Sequence, residues 1–229
     1  MSLGTPRRHH RRTGSTSVDA RALAVAGAPH GTLVTAAEQT DGRGRQGRSW
    51  QAPPGSALLC SLVLRDPPPL LSIAAGVAVA ELVGSEAKLK WPNDVLVEGR
   101  KVGGILVEGR PQEAWAVLGI GLNVAVNLAD LPAELRDSAG TLGLGADAIE
   151  PTLSRLLLLL EQWLTSPHDR ILDAWRARDA LRDAPLDWAH GRGVGAGIDD
   201  QGRLLVNANG TLTALDAGEV HLLAPPPQR

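Results

Sequence analysis

The chain has 229 residues, enough for a sizeable core without a disulfide or metal staple. Its 23 Lys and Arg nearly balance 25 Asp and Glu, for a net charge of -2, which argues against a protein that coats nucleic acid. A single cysteine, Cys60, excludes a disulfide framework and a Cys-based zinc site within one chain, and the lack of Phe and Tyr argues against a base-stacking sheet.

Residues 1–12 carry Arg7, Arg8, His9, His10, Arg11 and Arg12 and read as a disordered basic tail. Thr16 is a good helix N-cap with Asp19 three residues on, and Gly27 and Pro29 end that helix. Leu33 to Ala37 is strand-like, and Gln39 to Pro54, rich in Gly, Arg and Pro, reads as a long loop. Ala57 to Leu64 is a buried strand and Leu71 to Val83 a helix of small residues. No apolar run reaches the roughly 18 residues of a membrane span, so a cytoplasmic protein is expected. Ala87–Trp91, Val95–Val97, Lys101–Val107 and Trp115–Val124 read as strands, and helices follow over 151–164 and about 169–181. From Asp187 the texture changes to short strands punctuated by turns, with Asn209-Gly210 a strong hairpin signal. The division expected is therefore a main domain over 13–185 and a small β-module over 186–229, its Pro225–Pro227 end frayed.

Four segments carry chemistry. The loop Gly42-Arg43-Gly44-Arg45-Gln46-Gly47 matches the dinucleotide fingerprint G-x-G-x-x-G, with Asp66 about twenty residues on. That reading fails because the motif must open a helix, and Pro53, Pro54 and Gly55 leave no room for one. What remains is a pliable backbone from which Arg43, Arg45 and Arg48 can fork onto phosphate or carboxylate oxygens. In the second segment Lys90-Trp91-Pro92-Asn93-Asp94 forms a turn, and Lys101 opens the return strand across from it. Gly103-Gly104 there, and Gly119 and Gly121 in the third segment, mark a bulge or a close approach to the backbone, and Asn123 is a buried amide. The fourth, Thr13 to Ser17, gathers hydroxyls and free N–H groups at a helix start, as a small polar head group requires. Taken singly, each also fits a plain loop, turn, bulge or cap.

In this order, T-G-S-T, D-G-R-G-R-Q-G-R-S-W, K-W-P-N-D, R-K-V-G-G-I-L-V-E and G-I-G-L-N-V resemble the biotin protein ligases, across roughly residues 13–224. The resemblance implies an α+β fold: a mixed sheet flanked by helices, followed by a small C-terminal β-barrel of the Src-homology kind. It implies activation of biotin with ATP to biotinyl-5′-AMP, with Mg2+ on the phosphates, and transfer to a lysine of a biotin carboxyl carrier protein domain. On matching positions Lys101, Arg45, Arg43 and Asp94 are the catalytic set. Ser15, Thr16, Ser17, Gln39, Arg43, Gly44, Arg45, Lys101, Gly104 and Gly121 surround biotin, the glycines leaving room for its rings and tail. Arg45, Arg48, Trp50, Asn93, Lys101 and Asn123 face ATP or the adenylate, and the metal ligands stay unassigned. Two positions depart from the pattern: Ser17 stands where Asn is usual, and Asp41 where a small residue is common. The dozen residues before the first motif are too few for a DNA-binding domain, so no DNA partner is expected. A monomer and a homodimer remain equally open. A lipoate or octanoate ligase of the same fold is the first alternative, disfavoured by the K-W-P-N-D box. A non-catalytic RNA-binding module is the second, disfavoured by the near-neutral charge.

Overall fold

The computed structural model describes residues 2–110, 113–216 and 220–222. It contains two sheets. The first has seven strands, which appear in the chain as β1 (Arg7–His10), β2 (Leu33–Ala36), β3 (Ala57–Arg65), β4 (Lys88–Lys90), β5 (Asp94–Val97), β6 (Arg100–Arg110) and β7 (Trp115–Asn123). Their spatial order is β1-β2-β3-β7-β6-β5-β4. β1 and β2 run parallel and every other pair is antiparallel, so the sheet is mixed.

The N-terminal segment departs from the tail expected of residues 1–12. Residues 7–10 pair with 33–36 in register, and Leu3 is buried. Local composition missed this because an edge strand keeps charged side chains in solvent. The strand is tied down by distant partners: Arg7 forks onto both carboxylate oxygens of Glu150 at 2.7 and 2.6 Å, and its Nε donates to Thr35 Oγ1.

Helices cover both faces. α1 (Thr16–Val25) lays Ala20 and Ala24 on Val34, Val63 and Val117. Its N-cap is Ser15 rather than Thr16, and no side chain caps it. α2 (Leu71–Val83) is buried over most of its surface and has no charge before Glu81, as befits a helix covered on all sides. A short α3 (Ala133–Arg136) follows the sheet, and then α4 (Ile149–Leu164) turns Leu153, Leu156, Leu160 and Trp163 inward at a 3–4 spacing. The Trp163 indole donates to Glu81 Oε2 at 2.7 Å, locking α4 to α2. α5 (His168–Arg176) is shorter than the 169–181 stretch suggested, because residues 178–180 leave the helix to hydrogen-bond with Leu89 of β4.

The second sheet is antiparallel, ordered β11-β10-β9-β8-β12, from β8 (Pro185–Trp188), β9 (Gly191–Ile198), β10 (Leu204–Ala208), β11 (Thr211–Leu215) and β12 (Val220–Leu222). Asn209 and Gly210 both have positive φ and join β10 to β11 by a two-residue turn of the hairpin kind. One buried cluster runs through both sheets, from Leu58 and Leu118 to Leu186, Leu204 and Val206. The sheets are further joined where the Trp91 indole donates to Gly202 O at 3.0 Å. The Pro225–Pro227 end lies outside the described residues.

Candidate active site

One cavity collects most of the chemistry-bearing segments. It opens on the side of the first sheet that α1 covers in part, between the Arg-Gly loop and the hairpin of β5 and β6. Its lining includes Thr16, Ser17, Gln39, Arg43, Gly44, Arg45, Arg48, Trp50, Asn93, Asp94, Lys101, Gly104 and Gly121. Two expected residues do not line it. Ser15 lies buried just behind Thr16, and its Oγ has no partner among the described residues. Asn123 is buried at the end of β7, where its Nδ2 donates to Gly140 O and fastens residues 139–142 to the sheet.

The two ends of the cavity differ in character. One is neutral and hydroxylic. There the Thr16 N–H donates to Gln39 Oε1 at 2.7 Å, with Thr16 Oγ1 3.0 Å from the same oxygen. Ser61 of β3 sits below, within 2.8 Å of Thr16 Oγ1 and 3.1 Å of Ser17 Oγ. The other end is cationic. Arg43, Arg45, Arg48, Lys90 and Lys101 all reach it, and Asp94 is the single acid among the described lining residues. Burial lowers the Arg45 pKa, as does neighbouring Arg48, against the pull of Asp94. Burial likewise lowers that of Lys90, with Lys101 and Arg48 acting in the same direction and Asp94 opposing. Such a site is short of negative charge, and a bound polyanion relieves it.

Local backbone structure places these groups. The Asn93 side chain donates to Ile105 O at 2.8 Å while the Ile105 N–H donates to Asn93 O, pinning the turn after Pro92 onto β6. Asp94 then pairs across the ladder with Gly104, and a bulge between Val95 and Leu96 resets the register so that Leu96 faces Lys101. The result is an ion pair of 2.6 Å between Lys101 Nζ and Asp94 Oδ1. The Arg-Gly loop is closed by two backbone bonds, Gly44 N to Arg48 O at 2.7 Å and Trp50 N to Gly42 O at 2.8 Å.

In one respect the geometry differs from expectation. The room over Gly104 and Gly121 holds the Trp50 indole. A Cβ built on Gly121 would stand 2.5 Å from Trp50 Cε2, and one on Gly104 3.1 Å from Trp50 Cζ3. Bare backbone at these glycines gives the flat ring a surface to pack on. Lys101 Nζ lies 5.7 Å from the centre of the same ring. Ser61, Lys90 and Val220 also line the cavity and were missed. Lys90 opens the K-W-P-N-D box, and its charge beside Trp91 is a signal for it. Ser61 is concealed in an apolar strand, and Val220 arrives from the second sheet, so only the fold discloses it.

Comparisons with known proteins agree with this arrangement. Residues 10–125 match the family described as the biotin/lipoate A/B protein ligases. The chain is 34% identical to the bifunctional ligase/repressor BirA of Bacillus subtilis, over 93% of this chain and 73% of that one. It is 37% identical to the biotin–[acetyl-CoA-carboxylase] ligase of Mycobacterium tuberculosis, over 91% of this chain and 85% of that one. Among solved structures, a biotin protein ligase from Aquifex aeolicus in complex with biotin and ATP shares the fold, with a TM-score of 0.76 and 24% identity. That match covers 96% of this chain and 100% of that one.

Proposed function

The chain belongs to the biotin/lipoate A/B protein ligase family, and on that footing we propose that it activates biotin with ATP and transfers it to a carrier lysine. The observation that carries this reading is the polarity of the cavity, hydroxylic at one end and cationic at the other. A neutral cyclic urea suits the first end, and a carboxylate meeting a triphosphate suits the second.

In the first half-reaction a biotin carboxylate oxygen attacks the α-phosphorus of ATP. The P–O bond to the β-phosphate breaks, and pyrophosphate leaves with its electron pair. Both reactants are anions, so their approach must be neutralised. Arg43, Arg45 and Lys101 supply charge from the loop and from β6, and Lys90 adds charge from β4. Asp94 orients Lys101 through their ion pair. Fixed cations in a site screened from water are worth most where charge develops, in the transition state.

Adjacent oxygen donors, the Asp94 carboxylate and the Asn93 side-chain oxygen, fit a hard divalent cation that keeps most of its shell on phosphate and water. When bound, Mg2+ would neutralise phosphate charge there. In the second half-reaction the carrier lysine, as a free amine, forms a C–N bond at the anhydride carbonyl; the acyl C–O bond breaks, AMP leaves with its electron pair, and the nitrogen releases one proton to solvent. Folding of the Arg-Gly loop that borders the cavity over the bound anhydride, against the Trp50 ring, keeps water from the same carbonyl.

The partner in this reading is a biotin carboxyl carrier domain, and the setting is the cytoplasm. Among the described residues no helix is long and apolar enough to cross a membrane. The test is to incubate the protein with labelled biotin, ATP, magnesium and a carrier domain. Biotinyl-5′-AMP detected without carrier, and label on one lysine with it, is the expected result. Label on a carrier whose acceptor lysine is replaced by Arg would contradict the reading.

A further inference from the structure

We propose that Ser61 is a positioning residue that sets the hydrogen-bond direction at the hydroxylic end of the cavity and so selects a head group bearing N–H donors; this rests on the biotin reading above. Ser61 is fully buried in β3, between apolar residues, where an unpaired hydroxyl would be costly. It has two partners, and their order can be worked out.

The Thr16 N–H can only donate, so the Gln39 atom 2.7 Å away is its oxygen. Thr16 Oγ1, 3.0 Å from that oxygen, must donate its one proton there. At 2.8 Å from Ser61 it therefore accepts, which commits the Ser61 proton. Ser61 in turn accepts from Ser17 at 3.1 Å. The relay runs one way, from Ser17 through Ser61 and Thr16 to Gln39. Every hydroxyl proton in it is used, so the hydroxyls offer a ligand only lone pairs, while Gln39 Nε2 keeps its N–H donors for a carbonyl. A ligand head must then bring N–H groups, as a cyclic urea does and a hydrocarbon chain does not.

The backbone has made space for this relay. Gly119 of β7 pairs across from Ser61, and a Cβ there would lie 2.7 Å from Ser17 Oγ. Ser17 therefore acquires a role of its own at the position where the family pattern carries Asn: it starts the relay.

The test is steady-state pyrophosphate exchange on the full chain with Ser61→Ala, Ser61→Thr and Ser61→Val, the last two differing in the hydroxyl alone. Biotin KM is expected to rise about tenfold in Ser61→Ala and Ser61→Val, with kcat and the KM for ATP within about twofold, as loss of one ligand-directed hydrogen bond predicts. Ser61→Thr restores biotin KM to near the wild-type value. Dethiobiotin, which keeps the urea, shifts in parallel with biotin. An unchanged biotin KM in Ser61→Ala, or Ser61→Val behaving like Ser61→Thr, would overturn the inference while leaving the function standing. A wild-type protein inert toward biotin overturns both.

Discussion

Lys101 Nζ lies 2.6 Å from Asp94 Oδ1, across two strands whose register is shifted by a bulge. The bulge sets Lys101 opposite Leu96 instead of Val97, on the face that Asp94 shares, and the two meet as an ion pair in a cation-rich cavity. Both side chains keep some contact with solvent, at 35% and 20% exposure, so the pair adds little to stability. Its value lies in where it holds the lysine.

Lys101→Ala is therefore predicted to lower adenylate formation by about a hundredfold or more, the scale set by removing one group that meets developing charge. The melting temperature should stay within a few degrees of wild type. Asp94→Asn keeps the lysine but frees it, and is predicted to cost less, about tenfold. Single-turnover formation of biotinyl-5′-AMP measures both.

Gly121→Ala places a methyl group 2.5 Å from the Trp50 ring. The backbone of β7 is held between β3 and β6, so the indole must move. The expected outcome is a change in near-UV circular dichroism, together with a rise of about tenfold or more in biotin KM. The same change at Gly76 in α2, where an added Cβ would make only an ordinary 3.5 Å contact with Leu89 Cδ2, leaves the site alone.

Asp179 supplies a pH test away from the cavity. Burial pushes its pKa up, although the Leu181 N–H donates to Oδ1 at 2.8 Å, and Oδ2 has no partner among the described residues. A carboxyl with a raised folded-state pKa binds its proton more tightly when folded. Its contribution to stability is thus lost as pH rises from the unfolded value of 3.8 through the folded one. Asp179→Asn keeps the Oδ1 bond and carries no charge. It is predicted to stabilise the protein slightly at pH 7, by about 0.5 kcal/mol at most, because it removes a partly buried charge whose cost is already screened by solvent. The gain should vanish near pH 3. Urea melts at the two pH values measure this, and equal gains at both would contradict it.

Much of the fold is legible where local pattern and burial agree. Leu71–Val83 is a helix at both predicted ends because thirteen mostly small, apolar residues exceed the usual length of a buried strand and run without a breaker to the cap at Gly84. The Asn209-Gly210 turn needs nothing beyond its own backbone preference. β1 was illegible because its partners, Leu33 to Ala36 and Glu150, are remote in sequence and its side chains look solvated. In the site, the glycines at 104 and 121 announce a close approach, yet only the packed structure shows Trp50 lying on them. Ser61 reads as one polar interruption in a strand until α1 is laid above it.

The most direct test of the account is biotin-dependent exchange of labelled pyrophosphate into ATP, with magnesium and purified protein, comparing biotin with lipoate and octanoate. The account predicts exchange that requires biotin, is not supported by the other two acids, and disappears in Lys101→Ala. Exchange supported by lipoate or octanoate, or none from a folded protein given biotin, would contradict it.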